Sequence, residues 1–145
     1  MNRRTITIIL LLVVTFVASI SILQRSYTTA QTSCKTHHDT YDVKKVTIEN
    51  KNFHVLVADS PSKWQYGLMN VESKKDICDH DGMTFTFPIA MPQTFWNKNT
   101  LVDLDIYWMK GEDVLGKDLL PSITDAGLKT VSSPQPADGV VEIIR

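Results

Sequence analysis

The chain has little of what would assign a chemistry directly. It has two cysteines, Cys34 and Cys78, in 145 residues, so neither a disulfide scaffold nor a multi-cysteine zinc module is available. Glycine and proline number six each, too few for a low-complexity chain, and disorder is expected only in a linker. No stripe of lysine and arginine appears. Setting aside Arg3, Arg4 and Arg25 beside the apolar N-terminus, 12 of the 15 basic residues remain against 16 acidic ones, a net of −4. A mildly acidic domain does not concentrate the positive charge that a phosphate backbone requires, which excludes nucleic acid as a partner. No familiar catalytic motif and no nucleophile–base pair can be read from the spacing. One domain of modest size is what this length supports.

What is present begins with an apolar run. Ile6 to Leu23 carries no charge, and as a helix these 18 residues reach roughly 27 Å, enough for a bilayer core. The small-residue site Thr28-Thr29-Ala30 is a weak cleavage signal placed late. The reading is therefore a single-pass anchor within residues 1–25, with membrane partnership through residues 6–23; secretion after cleavage is the alternative. Basic residues on the two sides are nearly balanced. An even pair of cysteines favours an extracytoplasmic domain, where a Cys34–Cys78 disulfide persists. Such a bridge contributes roughly 4 kcal/mol in the chain-entropy model. Residues 26–42 read as a linker. Within it Cys34, His37, His38 and Asp39 are ligand types for a soft metal, but no second cluster has zinc-like spacing. No metal site and no cofactor is assigned.

Residues 43–145 alternate like a β protein. Val43 to Ile48 and Phe53 to Ala58 form a hairpin around Glu49-Asn50-Lys51-Asn52. Ser60 is placed to cap a short helix with Pro61 at its first position, Trp64 and Leu68 on one face, and Gly67 as its left-handed end. Val71 to Asp81 is loop-like, with Asp79-His80-Asp81 a turn. Met83, Phe85 and Phe87 alternate in a strand that Pro88 ends. Leu104, Ile106 and Trp108 alternate against Asp103, Asp105, Tyr107 and Met109, which puts both aspartates on one strand face about 6.5–7 Å apart. Val114 to Leu120, Thr130 to Ser132 and Val140 to Ile144 complete about eight short strands. The fold class is mostly β with a minor α component: a small β-barrel-like domain with one short helix.

The densest polar cluster is Trp96, Asn97, Lys98, Asn99 and Thr100, followed by Asp103 and Asp105. It forms the candidate ligand-binding rim, with Trp96 as a stacking face and the amides and Lys98 as donors. An acid at Asp105, between Leu104 and Ile106, either faces water or is satisfied by Lys98 or the Asn99 amide. Two carboxylates on one face are also what a hydrolase uses. The readings are a membrane-tethered accessory or binding domain for a small polar ligand or glycan; a hydrolase using Asp103 or Asp105 with Lys98; and a structural partner domain in an envelope assembly.

Gly67-Leu68-Met69, Gly82-Met83 with Phe85 and Phe87, Phe95-Trp96, Lys98-Asn99-Thr100 and Leu104-Asp105-Ile106 follow one another at spacings that resemble the family called domain of unknown function 192. The similar span runs from about Phe53 to Ile144. The resemblance implies a small, mostly-β, barrel-like domain, often behind a signal or anchor, and no established reaction. Two positions depart from the family pattern. Asn97 stands where the family reads Met, and Val71 where an Arg is common, which removes a rigid guanidinium clamp.

Overall fold

A computed structural model describes residues 37–145. The apolar run Ile6–Leu23 and Cys34 lie outside the described residues. Among the described residues no helix is long and apolar enough to cross a membrane.

Glu49 and Asn50 both adopt positive φ, 51° and 63°, the backbone that a tight two-residue hairpin turn needs. They join β1 (Val43–Ile48) to β2 (Lys51–Ala58) in antiparallel register, Ile48 opposite Lys51. The strand after them cannot pair as a hairpin, because the chain first makes a crossover. Pro61 opens α1 (Pro61–Tyr66), and Gly67 closes it at φ 51°, where a side chain would be strained. Ser60 caps with its backbone geometry only; its side chain makes no capping bond. The span read as a loop holds a 3₁₀ turn, Lys74–Ile77, secured by a reciprocal capping box between Ser73 and Asp76. This crossover returns the chain parallel to β2 as β3 (Gly82–Met91), Val55 beside Gly82.

β3 continues past Pro88 instead of ending there. Its ladder to the last strand breaks between Thr86 and Met91, so the proline, with no N–H to donate, sits in an irregular stretch that leaves no bond unmade. After β4 (Thr94–Trp96) come β5 (Leu104–Lys110), β6 (Asp113–Leu120), α2 (Ile123–Ala126), β7 (Thr130–Ser132) and β8 (Ala137–Ile144).

The main sheet has the order β1-β2-β3-β8-β5-β6, and β4 pairs with β7 as a separate ribbon. The barrel-like expectation is corrected here. β1 and β6 are both edges and do not pair, so the sheet is open. Alternation along a strand predicts which side each residue faces but not whether the outermost strands meet.

Both faces of the sheet carry buried apolar residues. Leu56, Met83, Phe85, Leu104, Ile106, Trp108, Val140 and Ile144 form the larger core on one face, with Trp64, Phe95 and Val131 packed on it from α1 and the ribbon. Ile48, Val55, Tyr107, Met109, Val141 and Ile143 form a second core on the other. The face of β5 that carries Asp105 is therefore mostly apolar and buried, and Asp105 lies at its margin. Asp103 precedes the strand, so the two acids do not share one strand face.

Candidate functional site

The turn after β4 is built by Asn97. Its side chain is fully buried and uses every polar atom. Nδ2 donates to the carbonyls of Pro121, at 2.9 Å, and Gly127, at 2.8 Å, while Oδ1 accepts from the Lys129 amide at 2.7 Å. The residue that departs from the family pattern thus ties the 121–129 loop to the rim, a set of bonds that a thioether cannot make. The Thr100 amide donates to the Asn97 carbonyl, and Asn99 holds φ 55°, which asparagine tolerates. The Asn99 carbonyl accepts from the Asn70 amide at 2.7 Å. Asn97 and Asn99 are occupied in shaping the turn.

Trp96 and Lys98 project from it. Trp96 is 46% exposed, and the Lys98 ammonium stands 5.1 Å from its ring centroid. Thr100 is buried beside them. These three line a small pocket of about 30 Å³ with Trp64, Tyr66, Phe85, Phe95 and Glu142. That volume holds one or two atoms of a ligand or a single water. The walls are held by aromatic packing. The Trp64 indole donates to the Ala58 carbonyl at 2.9 Å, and Phe95 stands edge-on to Phe85 at 4.8 Å and to Trp108 at 5.8 Å.

Glu142 is the group that sequence reading missed. It lies on β8 opposite Met83 and Ile106, on the larger core face between Val140 and Ile144. Only 4% of it is exposed. No ion pair and no hydrogen-bond donor meets its carboxyl among the described residues, and burial alone pushes its pKa up to about 8. An acid in that state is mostly protonated at neutral pH and offers an O–H to whatever enters the pocket. The signal was present: an acid flanked by Val140, Val141, Ile143 and Ile144 is as foreign to a strand as Asp105 is.

The two predicted aspartates are elsewhere. Asp105 pairs with Lys117 at 2.9 Å and with Arg145 at 3.6 Å, not with Lys98 or Asn99. Asp103 accepts from the Ser122 amide at 2.8 Å. No ion pair joins either acid to Lys98 among the described residues, so the constellation Asp103, Asp105 and Lys98 is not assembled. Asp81 of the Asp79-His80-Asp81 turn accepts from the His54 amide and pairs with Lys74, both at 2.9 Å, and joins the crossover to β2. His38 is buried, and its Nε2–H donates to the Gly67 carbonyl at 2.9 Å. Among the described residues no three His, Cys, Asp or Glu side chains converge as a metal would require. Val71 is 1% exposed in the larger core, where a guanidinium would be stranded.

A larger trough of about 710 Å³ is lined by Lys44, Thr47, Thr86, Pro88, Glu112 and Asp138, among others. Its lysines and Glu112 are solvent-exposed, and Asp138 is used by the Gly111 amide. Chemistry, not size, therefore selects the smaller pocket, which of the two is lined by a carboxyl only 4% exposed, with its pKa raised by burial and no ion pair among the described residues.

Three comparisons place the chain. No curated protein matches it. Two crystal structures share the fold. A protein from Sinorhizobium meliloti 1021, described only as a candidate transcription regulator, is 23% identical with a TM-score of 0.56, the match covering 72% of this chain and 81% of that one. A protein of unknown function from Novosphingobium aromaticivorans DSM 12444 is 21% identical with a TM-score of 0.54, covering 72% and 73%. At such identity the likeness is one of fold alone. Residues 44–145 match the family DUF192, described as an uncharacterized ACR. The open mixed sheet, the Trp96–Thr100 turn and its pocket are thus those of a member of the domain of unknown function 192 family, to which this chain belongs.

Proposed function

We propose that the chain is a membrane-tethered, extracytoplasmic binding module that takes a small polar ligand or glycan at the Trp96–Lys98 rim. The observation that carries this reading is Glu142, an acid only 4% exposed and without an ion pair among the described residues, in the lining of a pocket that also holds an exposed indole and an ammonium. Burying an unpaired carboxyl costs stability, and a fold keeps that cost where a ligand supplies the missing bond. Trp96 gives a flat face for a sugar ring, and Lys98 donates to a hydroxyl. Ile6–Leu23 is the tether, and Cys78, half-buried after the 3₁₀ turn, is the partner of Cys34 in the oxidising compartment.

The test is a set of amide and indole NMR spectra of the full chain in detergent, titrated with mono- and disaccharides. Shifts confined to Trp96, Lys98, Thr100 and Glu142 are expected; unchanged spectra across the set overturn the reading. A mature N-terminus near Gln31 would remove the tether. A second reading, a partner domain in an envelope assembly, is favoured by Ile89 and Met91, which are 72% and 54% exposed two positions apart on β3.

A further inference from the structure

Resting on that reading, the geometry points to a ligand class: a protonated primary amine, carried on a sugar-like ring, whose ammonium enters the pocket and pairs with Glu142 while the ring lies at Trp96. Three observations carry it. The pocket floor is a carboxyl that no described residue satisfies. Its surroundings are aromatic, with Trp64, Tyr66, Phe85, Phe95 and Trp96 in the lining, and ring faces attract cations by their quadrupole. Its volume of about 30 Å³ fits an amino group and excludes a ring or a trimethylated ammonium.

A neutral hydroxyl can exchange one ordinary hydrogen bond with a protonated Glu142, with a net gain of about 0.5–1.5 kcal/mol. An ammonium does more. It lets the carboxyl ionise and forms charge-assisted bonds to it, roughly twice as strong, in a site where charge is weakly screened. Binding then releases one proton, as the empty site holds Glu142 protonated and the filled site holds a carboxylate. The titratable groups facing Glu142 across the pocket are Tyr66 from α1 and Lys98 from the rim turn. The flanking strands present Met83 and Ile106, which do not titrate. Lys98 is exposed, with its charge at the mouth over Trp96, so its repulsion of an incoming amine is screened by water.

The experiment titrates the full chain in detergent with glucosamine, glucose, N-acetylglucosamine and n-propylamine, by calorimetry in two buffers of different ionisation enthalpy and by NMR at Trp96 and Glu142. Expected are glucosamine binding at least about tenfold tighter than glucose or N-acetylglucosamine, about 1.4 kcal/mol, release of close to one proton, and affinity that rises from pH 6 to pH 8. Weaker binding of n-propylamine assigns the remaining affinity to the ring at Trp96, whereas equal binding overturns the ring part. Glu142→Gln should lose the preference for glucosamine, and Trp96→Ala should weaken glucosamine without changing proton release. Equal affinity for glucose and glucosamine, with shifts at Trp96 and Glu142, overturns the amine while leaving the binding site in place. No shift with any of the four ligands removes the site itself and the amine with it. Should Glu142→Gln fail to fold, the proton count in the unaltered chain decides alone.

Discussion

Single residues divide into those that shape the rim and those free to meet a ligand. Asn97 shapes it. Three hydrogen bonds end on one fully buried side chain, and truncation leaves two carbonyls and an amide unsatisfied. Asn97→Ala should lower stability by about 2–4 kcal/mol in urea unfolding, whereas Asp105→Ala should cost at most about 1 kcal/mol, since its partners Lys117 and Arg145 stand in solvent. The reverse order would place the structural weight on the wrong residue. The rim itself was legible in the sequence as a polar cluster between apolar runs. What was not legible is that Asn97 turns inward and Lys98 outward, because an asparagine in a turn bonds its own backbone, a distant one or a ligand with equal facility.

At the scale of elements, the close approach of β3 and β8 sets Glu142 in place. Gly82 has no side chain, and a Cβ there would lie 1.8 Å from the backbone oxygen of Glu142 and 3.0 Å from the Cα of Ile143. Neither backbone can give way, because both strands are interior to the sheet. Gly82→Ala should therefore separate β3 from β8, cost more than about 3 kcal/mol, and accelerate amide exchange at Val141 and Ile143; a dispersed spectrum with native melting would contradict this. Hairpins and strands were readable from alternation and from Glu49-Asn50, as was the Gly67 helix end. The 3₁₀ turn at Lys74–Ile77 and α2 at Ile123–Ala126 were not, since four residues are too few to show a helical period. Pro88 was misread as a stop because its conflict with the ladder disappears in a bulge.

For the whole molecule, two buried groups tie stability to pH in opposite senses. Glu142 is raised to about 8 by burial. The folded chain keeps that proton while the unfolded chain loses it near 4.5, so stability falls as pH rises between about 4.5 and 8, and the full loss is present above 8. His38 is lowered below 6.5 by burial first, with the charge of His37 adding and the Gly67 carbonyl opposing. Its contribution is present above 6.5 and lost as pH falls through its folded value. Urea unfolding at pH 5.5 and 8.5 should show Glu142→Gln gaining on the unaltered chain by on the order of 3 kcal/mol at the higher pH. A constant difference between the two proteins would mean that Glu142 is ionised and satisfied.

The sequence by itself determined the apolar run at Ile6–Leu23, the β class, most strand positions, the turns and the family resemblance, because each rests on contacts between neighbours or on a period within one element. Only the tertiary structure decided which acid matters. Asp105 and Glu142 look alike locally, each an acid among Leu, Ile and Val. Asp105 sits on the second face of β5, within reach of Lys117 on the edge strand β6 and of the C-terminal Arg145. Glu142 sits on β8, the strand between β3 and β5, beside residues of α1 and the rim turn, where it is only 4% exposed and no ion pair forms among the described residues. Burial belongs to what packs over a face, and residues distant in the chain provide that cover. The same holds for the open sheet: pairing of β1 with β6 depends on the accumulated twist and curl of six strands, which no single strand encodes.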